Sequence, residues 1–425
     1  MDLYIARQPI FDENLRVFGY ELLYRKNQEN RFLDTDADEA SSNVIINGFT
    51  VIGIDRLTGG EPAFVNFTDN LVLQGVATLF PSQTLVIELL ETMTLYEPVL
   101  EACRALRKQG YRLALDDFID SARYKAFLGI ADIIKVDFAR TGFRECRELV
   151  ERLSNGHVRF LAEKVETEEE YQRARSWGYT LFQGYFFSKP IMQPLGDVPP
   201  LKINQLRLLE RLHQPDAEFS ELAKIVQTDV SLSYKLLRLV NSPAYGLEER
   251  VESVHHALVM LGLNEIRKWV SLIVMRAIAE SKPDELVRQS LIRAHMLEKL
   301  GKTLKLKNLG DDLFLIGLFS NLDVLMGRPM SELLGGVAVS SVVRQALVQH
   351  EGVPGFLYQL VRDYEACQWD AVTHNADMLG IVHDELFPTY MEAVKWCTDM
   401  LGEEGLGANE LGDDDLSGKT ASAKA

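Results

Sequence analysis

Eight short runs rich in β-branched residues recur through the first half of this chain, at 3–6, 17–24, 63–67, 85–89, 112–116, 132–137, 158–163 and 180–183. Between most of them lie amphipathic segments; in 97–109, for example, Leu100, Cys103 and Leu106 share one helical face. Strands that alternate with helices predict a parallel sheet, because parallel neighbours need a crossover rather than a tight turn. Closure into an irregular (β/α) barrel of the TIM type is the expected form. Only a turn around Asp12-Glu13-Asn14 separates the first two runs, so the barrel is expected to start with a hairpin.

A polar residue stands at or just past the C-terminal end of nearly every run. In chain order these are Glu21 with Arg25, Asn66, Glu88 with Glu91, Asp116-Asp117, Lys135 with Asp137, Glu163 with Glu166, and Gln183. A barrel gathers such strand ends onto one face, where active sites sit. A lone carboxylate at a strand end is most simply a solvated cap. A series with one per strand, in order, is not explained that way, and Asp116-Asp117 after Leu113-Ala114-Leu115 is its most specific member.

Six carboxylates in one cup (Glu21, Glu88, Asp116, Asp117, Asp137 and Glu163) repel one another unless protons or cations intervene. Carboxylate and amide oxygens are hard ligands that suit magnesium or manganese. Two such ions about 3.5–4 Å apart can bridge a phosphate and activate a water for in-line attack. Lys135 is placed to stabilise developing charge or orient that water, and Arg25 to contact a phosphate oxygen.

The second half reads differently. Pro190, Pro194, Gly196, Pro199 and Pro200 crowd a short span, read as a linker at 191–200. Beyond it, 201–213, 218–227, 230–240, 253–278, 284–305 and 340–350 carry helical periodicity, with Asp229 and Ser253 as candidate N-caps. The expected division is a barrel at 1–190, a helical domain at 201–402 and a disordered acidic tail at 403–425. No internal repeat is found.

A formal net charge of −17 argues against direct DNA binding through a basic surface. Cys103, Cys146, Cys367 and Cys397 are scattered and form no CxxC pair, so neither a zinc knuckle nor a disulfide framework is expected. The N-terminal residues show no long apolar signal-peptide core, and no apolar run reaches the ~18 residues of a membrane span. The apolar stretch Trp269–Ile278 is short and interrupted by Arg276, and is read as a buried helix. A cytoplasmic chain with reduced thiols is the expectation.

The motifs of the first half, over about 3–190, resemble the EAL domain of cyclic di-GMP phosphodiesterases. Gln8-Pro9-Ile10 resembles the opening QPI, and Glu21-Leu22-Leu23-Tyr24-Arg25 resembles ExLxR with Leu22 in place of the usual Ala. Val65-Asn66, Ile87–Glu91, Asp116-Asp117-Phe118, Ile134–Asp137, Ala162–Glu166 and Gln183–Pro190 match the remaining motifs in order. The resemblance implies that Glu21, Asn66, Glu88, Asp116, Asp117 and Glu163 hold two metal ions. It implies that Lys135 supports the attacking water, acting with Asp117 and Glu163, and that Gln8, Arg25 and Gln183 hold the dinucleotide. Glu91, Asp137 and Glu166 would be supporting groups. The sequence departs from the family at Asp116-Asp117-Phe118-Ile119-Asp120-Ser121-Ala122-Arg123, where active members carry DDFGTG. Without those glycines a positive φ is costly. Lys164 also replaces a glycine after Glu163.

The second half resembles the HDOD domain, an α-helical relative of the metal-dependent HD phosphohydrolases. The resemblance is carried by Thr228–Ser242 and Ala257–Gly262. Where a His-Asp pair would follow an apolar helix, Phe314–Phe319 leads into Ser320-Asn321. His295 and His350 are isolated, and His255-His256 face two sides of a helix, so this half is read without a metal. Two functions follow from the resemblances. One is a phosphodiesterase linearising cyclic di-GMP to pGpG. The other is a non-catalytic receptor or scaffold whose helical half signals to a protein partner. A homodimer fits either, as does control of motility or surface attachment in a bacterium.

Overall fold

The computed structural model describes residues 3–26, 54–90, 93, 96–118, 125–154, 156–184, 251, 254–279, 282–306, 309–335 and 339–401. The first half forms a closed barrel of eight strands in sequence order: β1 Leu3–Asp12, β2 Val17–Lys26, β3 Ala63–Phe67, β4 Leu85–Leu89, β5 Arg112–Leu115, β6 Ile133–Asp137, β7 Arg159–Glu163 and β8 Leu181–Phe182. Each expected run is a strand. β1 and β2 pair antiparallel as the expected hairpin; β2 through β8 are parallel, and β1 closes on β8 antiparallel. The hairpin is longer than its sequence signal, because β1 runs through Gln8 and Pro9 to Asp12.

Among the described residues, the α-helices between these strands are α1 Ile54–Thr58, α2 Asp69–Leu73, α3 Glu97–Lys108, α4 Lys125–Leu128, α5 Phe143–Leu153 and α6 Glu168–Trp177. On α3, Leu100, Cys103 and Leu106 are buried, as their spacing predicts. Thr167 and Glu170 form a reciprocal capping box that starts α6.

Two apolar layers follow from the period-2 alternation of strands. Outward residues such as Tyr20, Val65, Ile87, Leu113, Ile134 and Ala162 pack under the helices. Inward residues Ile10, Phe64, Val86, Ala114, Ile133, Leu161 and Leu181 form a separate plug inside the barrel. On β2 the corresponding inward position is Gly19, where a Cβ would meet Pro62 O at 2.7 Å and Phe64 Cε2 at 2.8 Å. The glycine leaves room for the plug's Phe64.

The remaining helices are α7 Val254–Ile278, α8 Asp284–Thr303, α9 Gly310–Phe319, α10 Leu322–Met326, α11 Met330–Gly335, α12 Ser341–Val348, α13 Gly352–Glu365, α14 Trp369–Leu379 and α15 Leu386–Leu401. The expected helices at 253–278, 284–305 and 340–350 correspond to α7, α8 and α12. Those at 201–213, 218–227 and 230–240, with the linker and the tail, lie outside the described residues. Within α7, Gly262 is non-helical (φ 72°, ψ 168°) and divides the segment into two helices. Trp269, Leu272, Met275 and Ile278 are fully buried, as expected of that apolar stretch.

By compactness the chain forms two units, Met1–Gln214 with Ser271–Trp396, and Pro215–Val270 with Cys397–Ala425. The first unit takes in both the barrel and α8–α14. Its cause is visible in side-chain contacts on the hairpin. Tyr364 Oη donates to Ile5 O at 3.1 Å, and Tyr20 Oη donates to the buried Glu285 carboxylate at 2.7 Å. Among the described residues, no helix is long and apolar enough to cross a membrane.

Candidate active site

Apart from Glu21, which follows Gly19, the central polar groups of the barrel mouth each lie two residues from a member of the apolar plug. Asn66 follows Phe64, Glu88 follows Val86, Asp116 follows Ala114, Lys135 follows Ile133, Glu163 follows Leu161 and Gln183 follows Leu181. On the antiparallel β1, Gln8 precedes Ile10 by two. A strand puts residues i and i+2 on one face, so the plug forms the floor and the polar groups form the layer above it. Register completes the layer, with Gln8 opposite Glu21, Asn66 opposite Glu88 and Asp137 opposite Glu163.

At the centre stands Lys135, fully buried. Its Nζ lies 2.8 Å from Glu88 Oε1, 2.8 Å from Asp116 Oδ1, 3.0 Å from Glu163 Oε1 and 3.4 Å from Glu21 Oε1. Four carboxylates from four strands thus converge on one ammonium, and their combined charge exceeds its own. Burial pushes the Glu163 carboxyl up to about 8; Lys135 opposes the rise, while Asp116 and Glu21 add to it. Glu88, with no exposed surface, is raised well above the carboxylate range by burial, against the pull of Lys135. Burial alone would lower the Lys135 ammonium, yet Glu163, Glu21, Glu88 and Asp116 hold it well above its ordinary value.

An amide chain runs from this cluster to the rim. Gln183 Nε2 donates to Glu21 Oε2 at 2.6 Å and to Gln8 Oε1 at 3.1 Å. Those donations fix the orientation of the Gln183 amide, and its Oε1 is buried without a hydrogen-bond partner. After it, Gly184 passes so close to β7 that a Cβ would meet Val165 N and O at 2.4 Å. On the far side, Gln8 Nε2 lies 3.9 Å from Cys367 Sγ, just past the end of α13. Burial pushes the Cys367 thiol up to about 12, with Glu21 adding to the rise.

Asp117 and Asp137 are drawn elsewhere. Asp117, in the left-handed region at φ 42°, pairs through Oδ2 with Arg140 Nη1 at 2.9 Å. Asp137 accepts from Lys164 Nζ at 2.5 Å and from the amides of Ala139 and Arg140 at 2.7 and 3.1 Å. Burial would raise its carboxyl, but these donors hold it below the ordinary range. Lys164 is itself left-handed at φ 53°. Its Nζ sits on Asp137, a contact that offsets part of the backbone cost. Glu91, the Arg25 side chain and the loop at 119–124 lie outside the described residues.

The donor set fits a hard divalent cation. It offers Glu21, Glu88, Asp116, Glu163 and the amide of Asn66, whose Oδ1 is buried with no hydrogen-bond partner, as is Glu88 Oε2. Among the described residues, however, no three His, Cys, Asp or Glu are already arranged around an ion's position, because Lys135 Nζ holds the centre of the carboxylates.

In the helical half, Ser320 and Asn321 are held by Arg293. Both accept from Arg293 Nη1, at 3.1 and 2.9 Å, and Arg293 pairs with Glu365 at 2.7 Å. His295 stacks on Trp396 at 4.7 Å and His350 on Tyr358 at 5.9 Å. Sequence reading missed Tyr20, Arg7 and Glu285. Arg7 lies 4.4 Å over the Tyr20 ring, donates to Leu57 O at 2.6 Å and stands 4.0 Å from Glu285. Tyr20 and Arg7 are the chain neighbours of Glu21 and Gln8, but nothing local marks a partner 265 residues away.

These features define a barrel with an acidic mouth joined to a helical domain, and the comparisons with known proteins agree. The EAL domain model matches residues 58–190 and the HDOD domain model matches 198–333. The chain belongs to the family of proteins in which an EAL domain is followed by an HDOD domain. It is 34% identical over 409 residues to YuxH of Bacillus subtilis (strain 168), covering 94% of this chain and 99% of that protein. It is 35% identical over 400 residues to the cyclic di-GMP phosphodiesterase CdgJ of Vibrio cholerae, covering 93% of each. Among solved structures, an EAL domain protein from Listeria monocytogenes aligns with 44% of this chain and 88% of its own, at 21% identity and a TM-score of 0.37. The matched EAL segment begins at residue 58, whereas the β1–β2 hairpin supplies Gln8 and Glu21 to the same site.

Proposed function

We propose that this protein acts in cyclic di-GMP signalling as a metal-dependent phosphodiesterase that linearises cyclic di-GMP to pGpG. The observation that carries the reading is the convergence of Glu21, Glu88, Asp116 and Glu163 around the buried Lys135 at the barrel mouth. Glu21, Asn66, Glu88, Asp116, Asp117 and Glu163 would hold two magnesium or manganese ions, which when bound polarise a phosphate and acidify a water.

The chain's own residues then have defined tasks. Gln8 and Gln183, already bonded to each other, hold the ligand at the rim with Arg25. Lys135 stabilises negative charge as it develops on the phosphate, in a site where the low dielectric strengthens that effect. Asp137 fixes Lys164 beside Glu163, and Glu91 and Glu166 support the surrounding loops. The helical half serves as a protein-interaction domain in a cytoplasmic, dimer-forming chain, with domain limits near 190 and 201.

One observation favours a second reading, in which the barrel binds cyclic di-GMP without cleaving it. The buried Lys135 ammonium pairs with Glu88 and Asp116 at 2.8 Å each and so compensates part of the carboxylate charge that a cation would otherwise meet. The test is a turnover assay with cyclic di-GMP and magnesium or manganese, run beside a binding titration. Production of pGpG supports the enzyme, binding without product supports the receptor, and neither binding nor cleavage overturns both. Under the enzyme reading Lys135→Ala lowers turnover by on the order of 10²-fold, with a far smaller effect on affinity.

A further inference from the structure

A cavity of about 370 Å³ opens where the barrel rim meets α8 and the end of α13. This lies at the small end of the roughly 300–1,000 Å³ typical of small-molecule sites. Gln183 lines it, and Gln183 Nε2 is 2.6 Å from Glu21 Oε2, so the cavity adjoins the carboxylate cluster.

Its walls specify the kind of group it takes. Pro9 from the barrel and Leu286, Ile292 and Tyr390 from the helices give apolar surface against which a flat ring can lie. Its cationic side chains are already engaged. Arg293 pairs with Glu365 at 2.7 Å, Lys164 with Asp137 at 2.5 Å, Arg7 stands 4.0 Å from Glu285, and Arg362 lies 5.6 Å over the Tyr358 ring. Such walls do not favour a phosphate. Two acceptors in the lining are buried without hydrogen-bond partners, Gln183 Oε1 and Gln289 Oε1, one from each half of the unit. An unpaired buried acceptor is costly, and a ligand with N–H donors relieves that cost. A neutral planar ring bearing several N–H donors meets both conditions, and guanine is such a ring.

We propose that this cavity receives one guanine base of the cyclic dinucleotide, with Gln183 from the barrel and Gln289 from α8 accepting its N–H donors. The inference rests on the reading of the barrel as a cyclic di-GMP site. It makes the helical half part of that site: α8 reads the base, while the barrel mouth engages the phosphates. Any rearrangement that moves α8 then changes ligand affinity directly.

The test is equilibrium titration of the full chain with cyclic di-GMP and, in parallel, cyclic di-AMP, with magnesium, manganese or calcium supplied in turn. Gln289→Leu should weaken cyclic di-GMP binding roughly tenfold, the scale of one lost hydrogen bond to a ligand. It should leave any cyclic di-AMP binding nearly unchanged, because adenine lacks the N1–H and 2-amino donors. That shift in selectivity is a readout a merely structural role would not produce. Gln368→Trp, at an exposed position on the cavity lining, should weaken binding at least tenfold by filling the opening. Wild-type binding with both variants unchanged overturns the inference and leaves the cyclic di-GMP reading intact. A wild-type chain that binds no cyclic di-GMP under any metal overturns that reading, and the base site with it.

Discussion

Replacing Lys135 with methionine keeps the length of the side chain and removes its charge from the centre of the barrel. The ammonium is fully buried and lies 2.8–3.4 Å from Glu88, Asp116, Glu163 and Glu21. Removing one partner of a buried ion pair costs about 3–5 kcal/mol, because the remaining charge loses compensation it cannot recover from water. At roughly 2–4 °C per kcal/mol, the scale for domains of about 150–250 residues, the melting temperature falls by about 6–20 °C. The loss depends on pH with a definite sign. Without Lys135, burial raises the folded-state carboxyls of Glu88 and Glu163 further above their unfolded values. Below the unfolded values both states are protonated and the deficit is smallest; it grows as pH rises through the raised folded values. Divalent cation restores part of the loss, about 2.7 kcal/mol at 100 times its Kd, and should raise the variant's melting temperature more than the wild type's. Differential scanning calorimetry at pH 5 and pH 8, each with and without manganese, measures all of these. A Lys135→Met chain that melts within a degree or two of wild type at pH 8 without metal would refute the reasoning.

Millimolar magnesium or manganese should raise the melting temperature of the wild-type chain by mass action on the native state, and Glu88→Ala should abolish that rise; an equal rise in the variant would remove Glu88 from the ligand set. Tyr20→Phe deletes the hydrogen bond to the buried Glu285 and should destabilise the chain by about 1.5–3 kcal/mol in urea unfolding, the scale of a hydrogen bond to a charged group. No change in midpoint would show that this junction contributes little. His350 is held below its ordinary value by burial and then by Arg362, so folding favours its neutral form. That penalises the folded state as pH falls through the unfolded value of about 6.5, and His350→Gln should gain stability relative to wild type between pH 7.5 and 5.5; parallel melting curves for the two chains across that range would contradict it.

The strands and the mouth of the barrel were legible in the sequence for a local reason. Alternation along a strand decides which residues face inward, so a polar residue two places beyond each plug residue announces both the strand and its functional end. That is why the sequence alone orders Glu21, Asn66, Glu88, Asp116, Lys135, Glu163 and Gln183 around a cup. Local pattern also exposed the hairpin, but not its full length, since Pro9 weakens the strand signal inside β1.

What the tertiary structure decided are the matters that depend on distance rather than neighbours. Periodicity marks Lys135 as inward-facing but cannot say that its ammonium takes the centre of four carboxylates; that follows from closure of the barrel, which brings Glu21, Glu88, Asp116 and Glu163 from separate strands to one point. It marks Asp117 and Asp137 as rim residues, while only the folded chain shows them drawn to Arg140 and Lys164. The largest gap concerns the helical half. A Pro-rich span reads as a boundary, yet Glu285, Tyr364 and Cys367 return to β1 and β2 across separations of 265 and 359 residues. Such contacts leave no periodic trace in a single sequence, because each is a match of shape and charge between surfaces that exist only after both halves have folded.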